Sequence, residues 1–148
     1  MDMTHEELMQ VAIQEAKVGM AQGGIPIGSV MVKNDTVFAR GHNKRVQEQD
    51  PIKHAEIDCL YNAGRIGSYK DITLYSTLMP CYLCAGAIVQ FGIKKVVAGE
   101  STTFAGARAF MEQHGVEVID LDLKECKEMM AEFIRKYPSL WAEDIGEL

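Results

Sequence analysis

The sequence predicts an α/β fold in which a central five-stranded mixed sheet carries helices on both faces. Three observations lead there. Through the second half of the chain, short β-rich runs alternate with helix-periodic ones, an order that gives parallel strands joined by crossovers. Near the N-terminus two strand-like runs flank Asn34-Asp35, which is hairpin-turn chemistry, so an antiparallel edge joins the sheet. No linker, repeat or low-complexity stretch divides the 148 residues, and the chain reads as one domain over 1–148.

Each element has its own signal. "THEELMQVAIQEAKVGMAQGG" is an amphipathic helix, with Thr4 and Glu7 at capping-box spacing and Gly23-Gly24 as its stop. "IPIGSVMVKNDTVFARGHN" supplies the hairpin, and "HAEIDCLYNAGR" a helix closed near Gly64. "DITLYST" is a strand, followed by the apolar helix "CYLCAGAIVQFG", which ends at Gly92 and for which Pro80 suits the first position. "IKKVVAG" and "VEVIDLD" are two further strands joined by a short crossover. "KECKEMMAEFIRKY" is a helix that Pro138 breaks before the helical tail "SLWAEDIGEL".

Composition narrows the function. Apolar residues make up 47% and charged residues 24%, and no apolar stretch approaches the ~20 residues of a membrane helix. The opening "MDMTHEEL" lacks the features of a signal peptide, so a cytoplasmic protein without membrane attachment is expected. Fifteen basic against twenty-one acidic residues give a net charge of −6. That balance opposes a phosphate-gripping, nucleic-acid-binding role and suits a small neutral or cationic substrate. Of the four cysteines, Cys59 and Cys126 lie in helical runs as packing residues, and a disulfide framework does not fit a cytosolic chain.

Cys81 and Cys84 in "PCYLC" are different. Residues three apart share a helix face, and a helix N-terminus stabilises thiolates. By itself this spacing serves a redox pair or two packing thiols as readily as a metal. His54 changes the balance, because it too opens a helix after a strand and loop. Two helices that deliver their N-termini to one point would bring an imidazole and two thiolates together. Nitrogen and sulfur donors suit zinc, and three protein ligands leave a fourth position for water, the pattern of a catalytic site. His5, His42 and His114 sit in contexts that suit exposed or loop positions. Glu56, two residues after His54, points away from His54 on a helix and so can face that water and a substrate. Zinc lowers the pKa of bound water, less so when two thiolates already donate charge to it, and a nearby carboxylate that takes the proton compensates.

His54, Glu56, Pro80, Cys81 and Cys84 together form H-x-E followed by P-C-x-x-C, the signature of zinc deaminases. Over nearly its whole length the chain resembles the cytidine deaminase-like superfamily. The resemblance implies a three-layer α/β/α fold, one catalytic Zn2+ per subunit and a homodimer, with the apolar helix 82 to 91 as part of the interface. "GGIPIGSVMV", "RGHNKR", "NAGR", "TLYSTLMPC" and above all "WAEDIGE" are similar to the fungal-type cytosine deaminases. That likeness implies that Asn43 and Asp144 hold the pyrimidine edge and that the Ala55 N–H contacts the 2-oxo group. It also implies that Phe104 and Trp141 cover the ring, with 138–148 as a C-terminal lid. A free cytosine carries an N1–H for Asp144 to accept, whereas a nucleoside carries its sugar there.

Other roles stay open for these residues. Trp141, at helical spacing from Tyr137, also suits core packing; Asp144 suits an exposed tail, Phe104 a loop anchor, and Asn43 a turn. Two positions depart from the family pattern: Met79 stands where serine is common, and Ala55 where the fungal enzymes have glycine. If Met79 offers only its backbone carbonyl to the departing amine, the change is harmless. If its side chain reaches the pocket, preference moves towards isocytosine, a substituted pyrimidine or another amino-heterocycle. "DPIKHAEI" also resembles the guanine and tRNA adenosine deaminase branches. The expectation is hydrolytic deamination of a free nucleobase, cytosine to uracil and ammonia, with Glu56 as catalytic residue. Deamination of guanine or another amino-heterocycle is the main alternative, and tRNA adenosine deamination a further one. A zinc-stabilised binding domain would need a fourth protein ligand; a thiol redox protein would be indifferent to His54.

Overall fold

The Thr4 hydroxyl accepts the Glu7 N–H at 3.1 Å, and the Glu7 carboxylate accepts the Thr4 N–H at 2.9 Å. This closed capping box starts α1 (His5–Ala21), which ends before Gly23 at φ 88°. The computed structural model describes residues 2–148, so of the domain 1–148 only Met1 lies outside it. β1 (Gly28–Lys33) and β2 (Thr36–His42) follow, joined through Asn34 and Asp35 at φ 52° and 59°. Two consecutive left-handed residues make the tight turn that matches strand twist, and Asn and Asp tolerate that conformation.

The chain continues through α2 (Arg45–Glu48), α3 (Ala55–Ala63), β3 (Thr73–Ser76), α4 (Tyr82–Phe91), β4 (Lys95–Ala98), α5 (Arg108–Gln113), β5 (Glu117–Asp120), α6 (Lys124–Lys136) and α7 (Pro138–Asp144). Strand order is β2-β1-β3-β4-β5. β1 pairs antiparallel with β2 and β3, while β3, β4 and β5 are parallel. The mixed five-stranded sheet is the one expected.

Alternation along the strands makes the three layers. Met31, Leu74, Val96 and Val118 point to one face, where they meet Cys59 of α3, Ile88 of α4 and Met111 of α5. Val30, Val32, Tyr75 and Val97 point to the other, against Leu8, Met9, Ala12 and Ile13 of α1 and Cys126 of α6. Cys59 and Cys126 are therefore core residues, and burial pushes their thiols up to about 12. A third cluster, Ile25, Ile27, Ala55, Leu78, Met130, Phe133 and Trp141, packs beside the ends of β3 and β4, where the strands hand over to loops.

Five details differ from the sequence reading. The β4–β5 crossover contains the helix α5, and the short α2 precedes α3. Neither has a side-chain cap, so neither carries a start signal. Pro80 is not the first residue of α4; Cys81 is the N-cap, with extended backbone at φ −77° and ψ −179°, and Pro80 lies before it. His42 is buried rather than exposed or in a loop. Its ring nitrogens face Glu15 Oε1 and Gln22 Oε1, each at 3.0 Å, which satisfies a polar ring at the end of a strand. Lastly, His54 is the N-cap of α3 and not a helical residue, so the helical offset between His54 and Glu56 does not apply.

Gly41 holds α3 close to β2: a Cβ there would lie 2.5 Å from the Cys59 nitrogen and 2.8 Å from the Asp58 carbonyl carbon. Gly41→Ala should destabilise the protein by about 1–3 kcal/mol, seen as a melting temperature several degrees lower. An unchanged melting temperature would mean that α3 is not wedged against this strand.

Candidate active site

α3 and α4 begin beside each other, each with an extended N-cap residue that makes no side-chain capping bond. Their free side chains meet instead: Cys81 Sγ lies 3.5 Å from His54 Nδ1. Cys84, the third residue of α4, completes the group, and one donor atom from each residue lies within 4.8 Å of the others. Bonds of ~2.3 Å to sulfur and ~2.0 Å to nitrogen at a tetrahedral angle would set S and N about 3.5 Å apart, so this set fits one zinc ion. Among the described residues no fourth His, Cys, Asp or Glu joins the group.

The charges at the site conflict until a cation is added. The Cys84 thiol and the His54 imidazole point at the Cys81 sulfur and bring its pKa down to about 4. Cys84 moves the other way: it donates to Cys81 and is buried, so it holds its proton well above the usual thiol range. A divalent cation lets both sulfurs exist as thiolates, and the orphan N–H groups at two helix starts favour the same charge state. Burial disfavours a charged His54, but the Cys81 sulfur, Asp144 and Glu56 outweigh it and raise its pKa. His54 Nδ1 faces the sulfurs while Nε2 lies 3.7 Å from Asp144 Oδ1, a carboxylate partner of the kind that orients a ligating imidazole.

Glu56, the second residue of α3, is buried at 4% exposure. Burial first, and then the Cys81 sulfur, push its carboxyl up to about 7. A carboxyl poised there can both take and return a proton near neutral pH. Glu56 shares a narrow cleft with His54, Cys81, Asn43, Met79, Phe104, Trp141 and Asp144.

The structure thus brings seven of the sequence-predicted residues to the cleft together with Glu56. Phe104 and Trp141 meet edge to face at 6.1 Å between centroids. Asn43 Nδ2 donates to Asp144 Oδ1 at 3.4 Å. Burial raises the Asp144 carboxyl, against the opposing pull of His54, Arg45 and Asn43. Ala55 does not line the cleft with its side chain, which packs with Ile25, Leu78 and Trp141; as first residue of α3 its N–H has no intrahelical acceptor. Ile27, Leu78 and Ile145 complete the lining. They went unassigned because apolar residues beside a site read like any others in the core.

Residues 2–100 match the cytidine and deoxycytidylate deaminase zinc-binding region. The chain belongs to this family. It is a zinc-dependent deaminase, a hydrolase. A cytosine deaminase from Candida albicans is 47% identical over 142 residues, 94% of this chain and 95% of the relative. A tRNA-specific adenosine deaminase from Bacillus subtilis is 38% identical over 147 residues, 90% of this chain and 91% of that one. Among solved structures, guanine deaminase from Bacillus subtilis superposes with TM-score 0.60 and 31% identity, over 78% of this chain and 72% of that one. Among the described residues no helix is long and apolar enough to cross a membrane.

Cys84→Ser should lower zinc content well below one ion per chain while His42→Gln, outside the donor set, leaves it near one. Metal analysis after desalting reads both, and full zinc in Cys84→Ser would remove Cys84 from the donor set.

Proposed function

We propose that this chain deaminates a free amino-pyrimidine base, cytosine before others, to the oxo-pyrimidine and ammonia. The observation that carries this reading is Asp144, a carboxylate at the edge of a small cleft that also holds Glu56 and the zinc donor set. A carboxylate at that edge rewards the ring N–H of a free base and opposes the sugar of a nucleoside. The Candida albicans cytosine deaminase, matched nearly end to end, supports the same substrate.

His54, Cys81 and Cys84 would hold zinc, which supplies Lewis acidity to activate water at neutral pH. Glu56 takes the proton of the attacking water, delivers it to ring N3, and assists protonation of the departing amine. Its carboxyl near 7 fits both directions of transfer. Asn43 and Asp144 hold the far edge, the Ala55 N–H meets the 2-oxo group, and Phe104 and Trp141 close on the ring, with 138–148 as a lid. Met79 packs in the core against Gly106, where an added Cβ would lie 2.7 Å from its Cγ. That packing supports a backbone role for Met79, its carbonyl receiving the amine, so the methionine need not alter substrate choice. The Ala55 methyl likewise sits in packing and not in the cleft.

Guanine or another amino-heterocycle is the second reading, favoured by the likeness to the Bacillus subtilis guanine deaminase. The net charge of −6 weighs against tRNA. Four free cysteines fit a reducing cytoplasm and a place in pyrimidine salvage. Exposed Tyr82, Leu83 and Phe91 on α4 support a homodimer; a solution mass equal to one chain would exclude it.

Zinc-loaded protein incubated with cytosine, isocytosine, guanine, cytidine and a tRNA anticodon stem-loop should release ammonia fastest from cytosine and none from cytidine. Glu56→Gln should keep its zinc and lose at least ~10²–10⁴-fold in kcat. Turnover of cytidine, or normal turnover by Glu56→Gln, would overturn the respective assignment.

A further inference from the structure

We propose that Arg45 is a specificity-setting positioning residue of this site, turning Asn43 as a donor and Asp144 as an acceptor toward the bound base. The inference rests on the free-base reading above and adds to it the group that sets the polarity of the binding edge.

Arg45 is the first residue of α2, and it holds Asn43 through its backbone. Its N–H donates to Asn43 Oδ1 at 3.0 Å. An amide whose oxygen is occupied in this way can turn only its NH2 outward, and Asn43 Nδ2 accordingly faces Asp144 Oδ1 at 3.4 Å. The guanidinium does the second part. Its Nη1 lies 3.4 Å from that same Asp144 Oδ1, and His54 Nε2 approaches it at 3.7 Å. The hydrogen bond from Asn43 and the approaches of Arg45 and His54 thus all meet Asp144 at Oδ1. Oδ2 accepts no hydrogen bond among the described residues, while Asp144 lines the cleft. Oδ2 is the oxygen left to accept an N–H from a ligand.

The guanidinium is held firmly enough to impose this orientation. Nε donates to the Pro51 carbonyl at 3.0 Å, three residues before His54, and Nη2 lies 3.7 Å from Glu143 on α7. Its side chain is 11% exposed and that of Asp144 5%. A planar fork contacting the Pro51 loop and α7 at once fixes their relative position, which a single ammonium cannot do. The neighbouring cations are engaged elsewhere: Lys44 at 3.0 Å and Lys53 at 4.0 Å face Asp58. Arg45 is therefore the one Lys or Arg paired with Asp144 among the described residues.

Arg45 makes no hydrogen bond or ion pair with Glu56 or the zinc donors among the described residues, so its loss should weaken binding more than the chemistry. Replacing its side chain leaves the backbone hold on Asn43 intact and removes the guanidinium contacts to Asp144, to Glu143 beside it on α7 and to the Pro51 carbonyl. In Arg45→Met, KM for cytosine should rise roughly ten-fold or more with kcat within about three-fold of wild type, the signature of lost uniform binding. Preference for cytosine over 1-methylcytosine, which lacks the N–H, should fall with it. Arg45→Lys should give an intermediate KM, because lysine keeps the charge and loses the fork. In an Asp144→Asn background, Arg45→Met should change KM by less than about two-fold, since the partner is already gone.

Ammonia release by zinc-loaded wild type, the two Arg45 variants, Asp144→Asn and the double variant tests this, with zinc content and melting temperature measured on each. Wild-type KM in Arg45→Met, or the same KM rise with and without the Asp144 carboxylate, would overturn it. Should Arg45→Met not fold, Arg45→Lys decides: an intermediate KM supports the proposal and a wild-type KM overturns it. The substrate reading is judged on the wild type alone. If another free base is the preferred one, the same ratios are taken with that base and its ring-N-methyl derivative.

Discussion

At both His54 and Cys81 the backbone is still extended, with ψ 164° and −179°, and a helix begins at the next residue. A side chain in that position usually turns back to accept an N–H from the first turn, a bond whose loss costs about 1 kcal/mol. Neither residue makes it. The imidazole and the thiol are thereby free to meet each other, and the uncapped N–H groups of two helices add positive potential around them. Cys84 and Glu56 then follow from the helices themselves, one turn or less further along. Zinc affinity, thiolate formation and the placing of Glu56 all depend on this double helix start, and the sheet holds it: α3 leads into β3, and α4 leads out of it.

Groups that repel one another are buried together here. A carboxyl raised to about 7, a raised aspartate, and two sulfurs with opposite shifts lie in and beside one cleft. Buried charges without partners destabilise a fold, so this cluster is a local weakness that a divalent cation relieves. Stability and catalysis are coupled through the same ion.

Much of this was readable in the residues. Thr4 and Glu7, Asn34-Asp35, Gly64, Gly92 and Pro138 carry local chemistry that ends or starts an element whatever the surroundings, and the structure follows each of them. His54, Glu56, Cys81 and Cys84 were readable because few residue types suit zinc chemistry. Less accessible was anything set by packing. α5 starts at Ala107 with no capping side chain, and His42 owes its burial to Glu15 and Gln22 on a distant helix and its end. Arg45 carried no signal at all, since its importance lies in reaching Pro51, Glu143 and Asp144, positions six to ninety-nine residues away.

The cleft is assembled from both ends of the chain, and this bears on how it opens. Ile27 and Asn43 come from the hairpin, Trp141, Asp144 and Ile145 from the last dozen residues. α7 is seven residues long, too short to hold itself as a helix in water. It is kept in place by Trp141 against Phe104 and the Phe133 cluster, and by Arg45 at its acidic end. On the proposed reading, a flat base against Phe104 and Trp141 would add contact area to that short list, and its N–H would add a bond to Asp144. On that reading, ligand binding and docking of α7 would be a single equilibrium: the segment that most needs support is the one a substrate would support. Release of α7 would, on the same reading, open the cleft to product and leave in place the strand ends and helix starts that hold the catalytic groups.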